Sequence, residues 1–331
     1  MSILLSEIAM QEIYKQIKTP YKYGPVIKNT EYLTDSPTVF RYKDKWYMYY
    51  IMIHRDVNKS GYETHFSSSD NLVDWHYESK IFERSGNDRW DSRQVAGYAA
   101  FVDNTFGGTN EIQKANNKYY MAYLGGRLDG YETDPLSVGL AYSDSPIGKF
   151  TRFEKPILSP FDSDAREFET LTLYKSNMFI DEAMKTGHRY VNAYNAKPLD
   201  NKERIYLAVS DDGENWKRYL DRPIIDETKS IKGLTISGDP QIVKIGDTYV
   251  MFFFRRVENC GAYNTFACSD NLVDWTIWNG EPLIKPEYEW ENRYAHKSWV
   301  LKHKGIVYHY YCAVNSKRET FIALATSEKI I

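Results

Sequence analysis

The segment Ser69-Asp70-Asn71-Leu72-Val73-Asp74-Trp75 recurs letter for letter as Ser269-Asp270-Asn271-Leu272-Val273-Asp274-Trp275. Looser copies stand at Ser210-Asp211-Asp212-Gly213-Glu214-Asn215-Trp216, at Ser143-Asp144-Ser145-Pro146 running to Phe150, and at Ser327-Glu328. A turn copied along a sequence marks a repeat architecture, in which one supersecondary unit is duplicated and stacked. The serines are 74, 67, 59 and 58 residues apart, which predicts five units.

Each turn closes the same strand pattern. An aromatic run precedes it at 46–53, 119–124, 190–194, 249–254 and 307–314, and a second run leads into the serine at 64–68, 137–142, 204–209, 264–268 and 321–326. A further strand is expected ahead of each aromatic run, at 37–42, 98–102, 170–174, 240–244 and 298–302. The Asp/Asn/Gly turn then opens an outer strand at a Trp or Phe. Four strands repeated five times predict an all-β fold, a five-bladed β-propeller. The last repeat ends too soon for its fourth strand, so that strand is expected from upstream of Asp35.

Only the start reads as helical. Leu5, Ile8, Ala9, Ile13 and Ile17 fall at three- and four-residue spacing and Pro20 stops the pattern, giving a short helix over 3–18. The expected division is a helical extension over 1–20 and a propeller catalytic domain over 21–331. The helix could pack on the propeller or support a homo-oligomer.

Charge narrows the partners. With 42 Lys plus Arg against 45 Asp plus Glu, the formal net charge is -3, and no basic excess argues for nucleic acid or an anionic membrane. No run approaches the roughly 18 apolar residues of a membrane span. Glu7 interrupts any apolar leader, so a cytoplasmic location is expected for the sequence as written, or a periplasmic or secreted one if a signal was removed. Three cysteines, Cys260, Cys268 and Cys312, lack metal-ligand spacing and are expected to be reduced thiols.

In a propeller the entrances to the innermost strands converge on one rim. Asp35 in Thr34-Asp35-Ser36-Pro37 aligns with Gly238 in Ser237-Gly238-Asp239-Pro240, which puts Asp239 one residue on; His296 in Ala295-His296-Lys297-Ser298 stands at the Asp35 level. Glu169 falls near that level if its strand pairs alike, with Glu167 close by. Carboxylates crowded at one aromatic-walled mouth suit acid/base cleavage of a glycosidic bond, one ionised and one protonated.

The motif Thr34-Asp35-Ser36-Pro37-Thr38-Val39, the run Lys45-Trp46-Tyr47-Met48-Tyr49-Tyr50 and the recurring Ser-Asp turn together resemble the five-bladed propeller glycosidases of glycoside hydrolase family 43 and its relatives, families 32, 62, 117 and 130. The resemblance implies Asp35 as general base and Glu169 as general acid. A tuning Asp usual in the second blade is missing from Val95-Ala96-Gly97-Tyr98, so Asp239 is expected to take that role, with Asp91 an alternative. A family 117-like arrangement would instead make His296 the acid. No cofactor is required, and a structural cation on the propeller axis remains an option.

Substrate contacts are expected from Tyr98, Arg93, Arg255, Trp299 and Arg318, while Trp46, Trp75, Trp216 and Trp275 are assigned to packing between blades. Phe106-Gly107-Gly108-Thr109-Asn110 lacks the Lys-Ser/Thr of a phosphate loop and reads as a mobile loop or hairpin tip. The leading expectation is a glycoside hydrolase that removes a terminal arabinofuranoside- or xyloside-like sugar with inversion, its Asp35 and Glu169 about 6.5–9.5 Å apart. The alternatives are a family 130-like phosphorolytic enzyme, using His54-Arg55, Arg255-Arg256 and His296-Lys297 to bind phosphate, and a non-catalytic carbohydrate-binding propeller.

Overall fold

The computed structural model describes residues 4–56 and 60–330. After helix α1 (Glu7–Ile17) and strand β1 (Tyr21–Ile27) the polypeptide runs as successive hairpins. One sheet holds β2 (Tyr32–Tyr42), β3 (Lys45–His54), β4 (Glu63–Ser69) and β5 (His76–Phe82). A second holds β6 (Gln94–Ala99), β7 (Tyr119–Gly126), β8 (Ser137–Ser143) and β9 (Thr151–Arg152), and a third β10 (Thr172–Ile180), β11 (Tyr190–Lys197), β12 (Arg204–Ser210) and β13 (Lys217–Tyr219). The remaining sheet has eight strands. It joins β14 (Leu234–Ile245), β15 (Thr248–Val257), β16 (Gly261–Ser269) and β17 (Thr276–Ile277) to β18 (Tyr294–His303), β19 (Ile306–Val314), β20 (Thr320–Thr326) and β1. Its halves touch through a single parallel bridge, Ala262 to Tyr294, whereas every other strand pairing is antiparallel.

The repeated wording of the turn has a hydrogen-bond cause. Ser269 Oγ accepts the backbone N–H groups of Asn271 and Leu272 at 3.2 and 2.9 Å, and Asn271 Oδ1 accepts those of Val273 and Asp274, each at 2.9 Å. Ser69 and Asn71 repeat this at the first turn, and Ser210 and Asp212 at the looser copy. Two short side chains thus satisfy four donors that no strand can reach. The same geometry forces left-handed backbone at Leu72, Leu272 and Gly213, with φ of 67°, 68° and 80°. Both leucines are fully buried, so packing offsets the backbone cost.

These turns also bind neighbouring units. Tyr310 on β19 donates its hydroxyl to the Leu72 carbonyl at 2.5 Å; Tyr49 on β3 donates to Pro146 O and Tyr120 on β7 to Glu214. Nearer the axis, the inner strands are stitched to one another. Thr38 Oγ1 accepts Ala99 N–H at 3.2 Å, Phe101 N–H donates to Met178 O at 3.0 Å, and Asn177 Oδ1 accepts Ile242 N–H at 2.8 Å. The Gln241 amide pairs with both backbone groups of Val300, at 2.8 and 2.6 Å. Finally, β1 pairs antiparallel with β20, Tyr21 opposite Thr326, so a strand from near the N-terminus completes the last hairpin. Trp46 and Trp275 are buried, and Trp75 and Trp216 are partly buried between sheets.

Helix α1 begins later than the sequence pattern suggests, because the Ser6 side chain caps it by accepting Ala9 N–H at 3.2 Å. Residue 3, where the expected helix starts, lies outside the described residues. Met10, Ile13 and Ile17 pack on Val243, Phe252 and Val300, and Tyr14 stacks on Trp278 with centroids 5.0 Å apart. Ile8 stays exposed.

Of the two expectations for the loop at 106–110, the turn is the one the backbone takes, with Gly108 N–H donating to Thr105 O at 2.8 Å, and the segment 103–110 is tied down by further bonds. Asp103 accepts from Thr105 N–H, Thr109 N–H and Thr109 Oγ1, and the backbone bonds to Lys244 and Arg41 in two other sheets' inner strands. Asn110 Nδ2 reaches Lys302 O at 3.3 Å. The loop is therefore a fixed cover over the far ends of β2, β14 and β18. Ser269→Ala, which frees two backbone donors, should cost about 1–2 kcal/mol. A lowered denaturation midpoint with unchanged slope would show it.

Candidate active site

At the opposite ends of the inner strands a cavity of about 470 Å³ opens. Three inner strands carry a bulge at the same level: pairing with the next strand skips between Asp35 and Thr38, between Gly238 and Gln241, and between His296 and Trp299. Inside each bulge one residue takes positive φ, namely Ser36 at 46°, Asp239 at 53° and Lys297 at 54°. The backbone kink re-aims side chains toward the opening, and Asp239, His296 and Lys297 all line it. β10 bulges between Leu173 and Ser176, which brings Tyr174 to the cavity wall.

Lys297 is the electrostatic centre. Its buried ammonium donates to Asp35 Oδ2 and to Glu132 Oε1, both at 2.7 Å. Burial alone would strip its proton, but these carboxylates hold its pKa well above the usual lysine value. Burial likewise pushes Asp35 upward, yet Lys297, His296 and the Tyr131 hydroxyl at 2.8 Å bring it down from 3.8 to about 2. Asp35 is 2 % exposed and lies beneath Tyr131, outside the cavity wall. His296 is driven down to about 4, first by burial and then by Lys297, so the ring is neutral at pH 7 with Nδ1–H facing Cys312 O at 3.1 Å.

Two glutamates that the inner-strand alignment does not reach line the cavity. Glu132 sits in the loop from β7 to β8, and Gln94 Nε2 holds that loop by donating to Leu128 O at 2.9 Å. Glu203 stands just before β12; its backbone is sewn to the start of β14 by bonds with Thr235 and Ser237. Burial, reinforced by the negative charges of Glu132 and Asp239, raises Glu203 from 4.5 to about 8. Burial also raises Asp239, to about 6, against the pull of Lys297 and Lys175. Asn195 links these two acids: Nδ2 donates to Glu203 Oε2 at 2.6 Å and Oδ1 accepts Asp239 N–H at 3.1 Å. A Cβ at Gly238 would stand 2.8 Å from that amide nitrogen, so glycine leaves room for the link. The wall thus offers one carboxyl whose pKa burial raises and one carboxylate paired with an ammonium, two environments of the kind that acid/base chemistry at an acetal needs.

Other expected site residues fall elsewhere. Glu169 is fully enclosed, receiving Arg166 and the Tyr194 hydroxyl at 2.5 Å and Arg218 at 2.6 Å, and it does not line the cavity. The long 181–189 connection shifts β10 to residues 172–180, so Leu173, four residues on, takes the Asp35 level. Asp91 is likewise sealed, by Arg89 at 2.9 Å and the Tyr123 hydroxyl at 2.8 Å. Trp299 and Tyr98 are buried, and neither presents a face to the cavity. Arg255 is clasped by Glu227, while its neighbour Arg256, on the other face of β15, lines the wall with Arg318. Arg93 is exposed outside it.

A roomier hollow of about 860 Å³ lies between β5 and 147–152, but its Lys80, Arg84 and Arg152 face Glu63, Asp129 and Asp91, and no pair of acids lines it. Among the described residues no group of three metal-ligating side chains is placed to hold an ion. None of the described helices is long and apolar enough to cross a membrane.

No protein-family model and no curated protein matches the sequence. Solved structures do match it, two of them at well above 30% identity. One, a BT0996 RGII complex, is 39% identical with a TM-score of 0.93, over 98% of this protein and 96% of that one. The other, named "Glycoside hydrolase", is 38% identical with a TM-score of 0.93 over the same shares. A thermostable family-43 glycoside hydrolase shares the fold at 17% identity and a TM-score of 0.63, over 92% of this protein and 96% of that one. This protein belongs to the glycoside hydrolases and shares their β-propeller layout.

Replacing Lys297 leaves Asp35 buried without its cation. Lys297→Met should therefore cost about 3–5 kcal/mol in denaturant unfolding, and less when combined with Asp35→Asn. Because Asp35 titrates lower in the fold than in the unfolded state, its contribution is present above about pH 4 and is lost as pH falls toward 2. Asp35→Asn should flatten the stability curve in that window.

Proposed function

We propose that this glycoside hydrolase removes a terminal sugar by acid/base hydrolysis, with Glu203 as proton donor and Glu132 as the base that activates water. The eight-stranded sheet, whose halves touch through one bridge, supports reading it as two blades and the fold as five-bladed. The observation that carries the reading is a single cavity wall bearing Glu203, buried beside the charges of Glu132 and Asp239 so that its pKa rises to about 8, and Glu132, tied to the Lys297 ammonium. Asn195 holds Glu203 Oε2, which leaves Oε1 to carry the transferable proton. Asp239, raised to about 6, adds negative charge that helps keep Glu203 protonated. Asp35 then acts through Lys297 as a positioning group, a change from its expected part as base. One oxygen committed to Lys297 makes Glu132 a poor attacking group, which supports single displacement with inversion.

A protonated His296 as acid has little support, since its ring is neutral well below pH 7. Phosphorolysis has less, because of the expected phosphate cluster Arg255 is neutralised by Glu227, Lys297 is held by Asp35 and Glu132, and Arg55 donates to the Thr30 carbonyl at 2.8 Å, which leaves Arg256 as the one guanidinium of that set at the cavity. The 39% identical structure is named as an RGII complex, which makes RGII the first substrate to test, with arabinofuranosides and xylosides after it.

Glu203→Gln and Glu132→Gln should each lower kcat by about 10²–10⁴-fold without altering the circular dichroism spectrum. An aryl glycoside whose leaving group needs no proton should largely restore Glu203→Gln and not Glu132→Gln. Wild-type activity should fall as pH rises through about 8, where Glu203 loses its proton. Near-normal turnover in Glu203→Gln on a natural glycan refutes the acid assignment.

A further inference from the structure

The cavity mouth is cationic in a way that the hydrolytic machinery does not require. Arg256, Arg293 and Arg318 line it, and Arg256, Arg293 and Tyr294 also wall an adjoining cleft of about 530 Å³. The guanidinium carbons of Arg256 and Arg293 lie 6.0 and 4.9 Å from the centre of the Tyr294 ring. Against the effect of burial, both guanidinium groups face the Tyr294 hydroxyl closely enough to lower its pKa, so they converge on one tyrosine without being held by a carboxylate. Among the described residues none of these three arginines forms an ion pair. Arg256 and Arg318 are exposed and Arg293 is half-buried, whereas the guanidinium groups sealed inside the protein are neutralised: Arg204 faces Asp200 and Asp226, Arg218 faces Asp162, Asp164 and Glu169, and Arg255 faces Glu227.

Three cations gathered without partners repel one another and are stabilised when an anion arrives. Neutral sugar hydroxyls would gain little from paired guanidinium forks, whereas a carboxylate accepts two parallel N–H bonds from one. Arg256 and Arg293 stand where the two hollows meet, so an anion held there continues a glycan whose terminal sugar is beside Glu203. We propose that Arg256 and Arg293 form a subsite for the carboxylate of an acidic sugar in the portion of the glycan beyond the scissile bond. The substrate class is then an acidic oligosaccharide. This inference takes its location from the glycosidase reading above.

The test separates the two readings by measuring binding without turnover. Tri-galacturonate and the same trisaccharide with its carboxylates reduced to alcohols are titrated into Glu203→Gln protein by calorimetry. The acidic form should bind at least about tenfold more tightly than the reduced form, and added salt should weaken it. Arg256→Ala/Arg293→Ala in the same background should remove that preference while leaving the melting temperature unchanged. Equal affinity for both trisaccharides, no binding of the acidic one, or a preference that survives the double substitution overturns the subsite. A cleavage reaction that depends on inorganic phosphate, with phosphate binding lost in the double variant, overturns it as well and assigns the pair to a co-substrate. If the acidic trisaccharide binds as expected but the wild-type enzyme releases no sugar from any glycan, the hydrolytic reading fails and the anion subsite stands.

Discussion

The pairing of β1 with β20 is the constraint on which the rest depends. Each sheet exposes apolar faces that only a neighbouring sheet can cover, and without the first strand the last hairpin would end on an open edge. Closing that edge brings β20 against β2, as the Thr34 bonds to Thr320 show, and sets Lys297 beside Asp35. The inner-strand stitching through Thr38, Asn177 and Gln241 then has a fixed circumference to span. The site is a product of this closure, since its walls come from residues as distant in sequence as Leu33, Glu132, Glu203 and Lys297.

Within the closed ring, charge balance at the axis decides which acids are ionised. Lys297 sits between Asp35 and Glu132, and its ammonium is consumed by them. Lys175, another buried amine, has its pKa lowered by burial while Asp239 acts to raise it. Glu203 has no cation within ion-pair distance among the described residues, so burial governs it. A single lysine thereby pairs with two of the carboxylates and leaves Glu203 to the effect of burial, and the bulges that bring Lys297 and Asp239 to the wall set that division.

Much of the fold was legible because its repeat is local: Ser269, Asn271 and Leu272 form a turn by short-range bonds, and the aromatic runs mark the second strands within a few residues. The site was legible only in part. The entrances of β2, β14 and β18 aligned without gaps, and the bulge register agrees with that alignment at Asp35, Gly238 and His296. For β10 the hairpin length differs, so equal spacing pointed to Glu169 where the pleat presents Leu173. The larger omission has a topological reason. In antiparallel hairpins the loop after a second strand returns to the same rim as the entrance of the first, so Glu132, Glu203 and Arg318 share the mouth with Asp239. Glu203 had a visible signal, a charged residue abutting an otherwise apolar strand, but nothing local distinguishes it from a solvated strand end. Arg255 and Arg256 show the limit of one-residue resolution, because neighbours on a strand face opposite ways.

The 103–110 segment, through its bonds to Arg41, Lys244 and Lys302, fastens together the ends of three inner strands on the side away from the cavity. Strands that fan out from one axis are thereby clasped at the end remote from the chemistry. Splaying there would change the spacing of β2, β14 and β18 at their other ends, so the clasp helps to keep Asp35, Asp239 and His296 at one level.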